Sequence, residues 1–134
     1  MRGLAVLVGA LMSASLVTAA ATAGAQSEPY SGSGDYQVYC GSCHGAGGKG
    51  DGAIAKSLKK QPPDLTQLSK QNNGVFPVDK VSKTVDGRTS GSAHDADMPA
   101  WGDVFAKSSE SQGNENVAMR IRTLVKYLET LQAK

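Results

Sequence analysis

The 134-residue chain has two cysteines, and both fall in one pentapeptide, Cys40-Gly41-Ser42-Cys43-His44. No other feature constrains the fold as tightly. Cysteines three residues apart bring both sulfurs to the same side of one turn, and the next residue's imidazole follows directly. A thioredoxin-like dithiol would open a helix after a strand in a βαβ unit, but the alternating pattern of a strand is not apparent. A zinc site would need both histidines, His44 and His94, and a histidine abutting a cysteine strains a tetrahedral arrangement. A plain structural disulfide is a third reading.

The fourth reading explains all three chemical residues at once. Cys-x-x-Cys-His is an attachment signal for c-type haem: each thiol adds to one vinyl group, and the histidine binds iron from the proximal face. One covalent haem at Cys40, Cys43 and His44 leaves no free thiol, which suits an oxidising compartment. It also suits the composition. The chain has two Phe, four Tyr and one Trp, so a small domain gains from a large apolar object at its centre.

The N-terminus points to export. Arg2 is the only charged side chain before Glu28, Leu4 to Val17 is apolar apart from small residues, and Ala23-Gly24-Ala25 fits a small-x-small cleavage pattern. Residues 1–25 therefore read as a secretory signal and residues 26–134 as one monohaem domain, placed in the periplasm. An uncleaved anchor is the rival, though Ala, Gly, Ser and Thr make the stretch weakly hydrophobic. The formal net charge is +2, one unit of it from Arg2. Nucleic acid and anionic membrane are poor partners for so balanced a surface.

Along the chain, residues 26–33 form a lead-in, and Ser33 or Asp35 caps a short helix to about Tyr39. Residues 45–52 are a glycine-rich loop. It lacks the Gly-Lys-Ser/Thr ending of a phosphate loop and has no strand before it. Tight turning close to a bulky group explains the glycines better. A brief helical turn is expected over 53–60, extended chain at Pro62-Pro63, a short helix at 64–68 and a turn at 71–74. Val78 to Val85 reads as a helix with Pro77 in its first turn and Gly87 as its stop. The clearest element starts at an Asn114 cap and runs to about Leu131, with Val117, Ile121, Leu124, Leu128 and Leu131 at steps of three and four. The class is all-α, with three to four short helices and long loops.

A sealed electron carrier needs a sixth iron ligand. Met98, in a loop and followed by Pro99, is the expected one: proline stiffens the chain beside it, and a thioether raises the potential. Met119, within the last helix, needs no role beyond packing. His94 is the competing ligand and would give a lower potential. Val75, Phe76, Val81, Val85 and Phe105 are candidates for the apolar wall. Arg88 and Trp101 are candidates to contact the propionates.

Together these residues resemble class I (mitochondrial-type) cytochrome c, in its small bacterial periplasmic monohaem form. The motifs that carry the resemblance are Cys40-Gly41-Ser42-Cys43-His44-Gly45, Met98-Pro99-Ala100-Trp101-Gly102, Gly32 and Tyr36 ahead of the first cysteine, Tyr127-Leu128, and Pro63-Asp64-Leu65. The resemblance implies a class I fold wrapped round one haem, with Gly32 or Gly34 at a crossing of the terminal helices and Tyr127 packed nearby. It also implies that the Pro63 carbonyl accepts a hydrogen bond from His44, and that Cys40, Cys43, His44, Met98, Pro63 and Trp101 hold the cofactor, with His44 and Met98 on the metal.

With both axial positions filled, the expected function is single-electron transfer, without a catalytic residue. On this reading the protein is expected to be an electron carrier rather than an enzyme. Its partners would be redox proteins: a dehydrogenase, a cytochrome complex or a terminal oxidase, met briefly by a monomer that touches membrane only transiently or through them. Lys49, Lys56, Lys59 and Lys60 either steer acidic partners or form an ordinary solvated face. Two alternatives stay open: a subunit held permanently in a dehydrogenase or oxidase complex, and a haem enzyme or gas sensor with a labile Met98.

Overall fold

The computed structural model of the chain describes residues 30–89, 98–108 and 113–134. The signal segment 1–25, the start of the lead-in and His94 lie outside the described residues. Among those described, the secondary structure is helical and no strand is present, in keeping with an all-α chain.

The N-terminal helix is longer than its sequence suggests. It begins as α1 (Gly32–Asp35), passes through a π-helical turn (Tyr36–Cys40) and continues as α2 (Gly41–His44). Ser31, not Ser33 or Asp35, is the cap: its hydroxyl accepts from the Gly34 amide at 3.1 Å. The Gly41 amide reaches back to the Tyr36 carbonyl and closes the wide turn. Glycines at 32, 34 and 41 carry little helix propensity, so tertiary contacts carry this helix.

After a 3-10 turn at Ala55–Ser57 and another at Leu65–Gln67, α3 (Leu68–Gln71) makes one further turn. Asp64 starts the Leu65 turn by accepting from the Thr66 amide at 2.9 Å and its hydroxyl at 2.7 Å. Helix α4 (Val78–Asp86) has Pro77 at its N-cap and stops at Gly87, whose left-handed φ of 68° lets its amide reach the Lys83 carbonyl. Helix α5 (Trp101–Lys107) was not expected from the sequence. Its signal is the pair Trp101 and Phe105, one turn apart, which stack at 6.2 Å between ring centres. Helix α6 (Asn114–Thr130) begins at Asn114, and Gly113 rather than Asn114 occupies the cap.

Helix α6 is the keel: α1, α4 and α5 all pack against it. Its Val117, Ile121, Leu124 and Leu128 are buried as their spacing predicts, with Val125 added, and Leu131 is half-buried. The crossing with α1 takes place at Gly32. A methyl group there would collide with the Thr123 carbonyl and meet the Tyr127 side chain, whereas one at Gly34 would touch only the Ser31 side chain. Tyr36 packs beside the crossing, 5.4 Å from the Tyr127 ring.

Hydrophobic periodicity gave no warning of Arg120, which is 4% exposed within the apolar stripe of α6. Its guanidinium binds both oxygens of Asp35 at 2.7 and 2.8 Å, reaches Ser108 Oγ at 3.1 Å, and lies 4.4 Å from the centre of the Phe105 ring. Asp35 raises the Arg120 pKa further above its ordinary value, mainly through the side-chain hydrogen bonds. A buried cation so well matched fastens α1 and α5 to α6 in one contact.

Two stability measurements check this account. Arg120→Met strands the Asp35 carboxylate and is expected to cost about 3–5 kcal/mol in denaturant unfolding, most of it recovered when Asp35→Leu is added. Gly32→Ala forces the helix crossing apart and is expected to cost about 1–3 kcal/mol, while Gly34→Ala stays close to wild type.

Candidate functional site

The glycine-rich loop is a cap for the helix that carries the motif. The last four carbonyls of a helix lack partners within it. Here the Gly41 carbonyl accepts from the Gly45 amide at 2.8 Å, Ser42 from Ile54 at 3.1 Å, Cys43 from Gly52 at 3.1 Å and His44 from Gly50 at 2.8 Å. Gly45, Gly48 and Gly50 adopt φ of 79°, 76° and 75°, which only glycine takes readily. Gly52 is needed for room: a methyl group on it would run into the Ser42 and Cys43 backbone. Tyr36 ties the same turn down by donating from its hydroxyl to the Gly45 carbonyl at 2.7 Å. Burial, first of all, pushes its pKa up to about 12.

The turn so fixed presents Cys40, Cys43 and His44 to a cavity of about 440 Å³ with mainly apolar walls. That volume lies within the ~300–1,000 Å³ range of small-molecule and cofactor sites. Met98, Pro63 and Trp101 line the same cavity. Six side chains spread over 62 positions of sequence are therefore gathered round one space.

His44 is 9% exposed. Burial lowers its pKa, and the Pro63 carbonyl beside the ring opposes that shift. Its Nδ1 is buried without a partner of hydrogen-bond geometry. Cys40 and Cys43 form no disulfide. Burial, followed by the charges of Asp35 and Cys43, pushes the Cys40 thiol up to about 12. A catalytic dithiol needs the opposite shift, toward thiolate. Among the described residues no group of three or more His, Cys, Asp or Glu side chains gathers as a metal-binding cluster.

Several expectations need correction. Val81 and Val85 line the cavity, and Phe76 and Phe105 are buried in the core outside its lining. Val75, which follows the Asn73-Gly74 turn, is 65% exposed and takes no part in the wall, while its neighbour Phe76 turns into the core. Arg88 does not reach the cavity. Asp86 holds it at 2.6 and 2.9 Å, two residues away on the exposed rim of α4. The cations at the cavity are instead Lys60 and Lys80; Lys49, Lys56 and Lys59 are exposed elsewhere.

Residues not anticipated also line the space. Tyr39 packs edge-on against Trp101 at 5.5 Å and Phe105 at 5.3 Å. Lys80 and Thr84 share the cavity face of α4 with Val81 and Val85, a relation legible from the four-residue spacing. Leu58, Leu65, Leu68 and Leu128 add to the apolar lining. Among the described residues, no helix is long and apolar enough to cross a membrane.

The loop's role is open to a direct check. Gly52→Ala should lower unfolding stability by about 1–3 kcal/mol through the collision with the Ser42 carbonyl and the Cys43 backbone, whereas Gly47→Ala, facing open space, should leave the midpoint unchanged.

Compared with known protein families, curated proteins and solved structures, the chain matches none of them.

Proposed function

We propose that the chain is a periplasmic single-electron carrier with one covalently attached c-type haem and the class I cytochrome c fold. One observation carries the reading: Cys40, Cys43, His44 and Met98 face a single cavity of cofactor size, although Met98 is distant in sequence. The His44 ring, buried at the cavity beside the Pro63 carbonyl, adds to it.

The residues fit the group. Cys40 and Cys43 would hold the porphyrin edge as thioethers, and His44 and Met98 would supply the nitrogen and sulfur ligands. When bound, haem supplies a reversible one-electron iron couple. The chain's own part is to fix and dry the site. The glycine loop holds His44 in place, and Pro63 lies where its carbonyl can take a ring N–H, the kind of outer contact that sets a ligand's orientation and basicity. Val81, Val85, Leu65 and Leu68 exclude water, so less solvent must reorganise when charge changes. Trp101 and Tyr39 stiffen the wall next to Met98 through their mutual edge contact. The lack of any strand among the described residues speaks against the βαβ setting of a thioredoxin-like dithiol.

The test is the mass and spectrum of protein made in a host competent for cytochrome maturation. The expected product carries one covalent haem, shows a sharp α-band when reduced, and shows a weak far-red iron–sulfur band when oxidised. Cys40→Ala with Cys43→Ala should abolish covalent attachment. Met98→Ala should keep it, lose the far-red band and lower the potential, while His94→Ala leaves the band in place. A colourless product with the mass of the bare polypeptide rejects the proposal.

A further inference from the structure

The cavity wall from Pro63 to Gln71 is poorly held by its own secondary structure. Pro62 and Pro63 bring no amide donors, and beyond them come only a 3-10 turn (Leu65–Gln67) and the single turn of α3. Yet this segment contributes Pro63, Leu65, Leu68 and Gln71 to the cavity. The Pro63 carbonyl also lies beside the His44 ring.

The segment is held from the far end of the chain. Gln132, just beyond α6, donates from Nε2 to the Leu65 carbonyl at 2.8 Å and to the Leu128 carbonyl at 2.9 Å. Its Oε1 accepts from the Ser69 amide at 2.9 Å. The next residue adds a backbone bond, Ala133 amide to Thr66 carbonyl, at 2.8 Å. One side-chain amide thus uses both donors and its acceptor on backbone groups, two of them more than 60 residues away. A planar amide bonded at three points fixes both distance and register. The Leu65 amide meanwhile donates to the Gly48 carbonyl at 2.7 Å, which joins the same segment to the glycine loop behind His44.

We propose that Gln132 is a positioning residue for the cavity: it clamps segment 63–71 to the end of α6 and so sets where the Pro63 carbonyl and the leucine wall stand relative to His44. The inference deepens the proposed function and rests on it only for its redox readout.

The experiment compares the mature full-length protein with Gln132→Ala and Gln132→Glu by native-state hydrogen exchange and by reduction potential. In Gln132→Ala the Ser69 and Leu65 amides are expected to exchange at least about tenfold faster, and the potential to move from its wild-type value while the covalent mass stays the same. In Gln132→Glu the remaining acceptor keeps Ser69 protected. Leu65 still accelerates and the potential still moves, because both donors are lost and a charge faces two carbonyls. If Ser69 alone accelerates in Gln132→Ala, with Leu65 protection and potential unchanged, the bond is merely local and the proposal is overturned. Should the alanine variant fail to fold, the Leu65 and potential readings of Gln132→Glu decide. A protein without haem would remove the redox readout and sink the proposed function, while the exchange of Leu65 would still judge the clamp.

Discussion

Four carbonyls, those of Gly41, Ser42, Cys43 and His44, need partners as their helix ends, and the surrounding structure is arranged round that need. The chain answers by turning back at once and offering amides from Gly45, Gly50, Gly52 and Ile54. Only a glycine-rich loop can do this, because three of its residues take positive φ and a fourth lies against backbone. The consequence is chemical as well as structural. A turn whose carbonyls are all bonded holds Cys40, Cys43 and His44 in one orientation toward the cavity, the preorganisation that the proposed haem attachment would draw on.

The second constraint is the frame that keeps the cavity open. Helix α6 supplies it, gripped along its length by the close crossing at Gly32 and by the Arg120–Asp35 pair, and just beyond its C-terminal end by Gln132. Each contact joins segments far apart in sequence. A core of few aromatics is thereby supplemented by polar bonds with strict geometry. In such a frame a wall of short turns is workable, since its position comes from the ends rather than from its own helical length.

Much of this is legible in the sequence. The stripe Val117, Ile121, Leu124 and Leu128 announced a buried helix face, and Gly87 announced the end of α4, because periodicity and glycine conformation are local properties. Trp101 and Phe105 could have revealed α5, but a seven-residue helix with no side-chain cap gives only one such pair. Val75 and Arg88 lie away from the cavity for a reason that side-chain type does not carry: the turn at Asn73-Gly74 and the carboxylate of Asp86 decide where they sit. The polar side chains that matter most to the frame, Arg120 and Gln132, gave no pattern at all. Their partners lie 85 and up to 67 residues away.

The sequence by itself determined the helical class, the chemistry available at Cys40, Cys43, His44 and Met98, and the places where the chain must turn. Those follow from side-chain type, spacing and backbone freedom, which act over a few residues. Tertiary structure alone decided that Tyr39, Lys80 and Thr84 join the cavity, that Gly32 rather than Gly34 carries the crossing, and that a buried arginine and Gln132 hold the frame. Such outcomes depend on which distant groups satisfy one another when burial removes water as a partner, and that competition is settled only once the whole chain has packed.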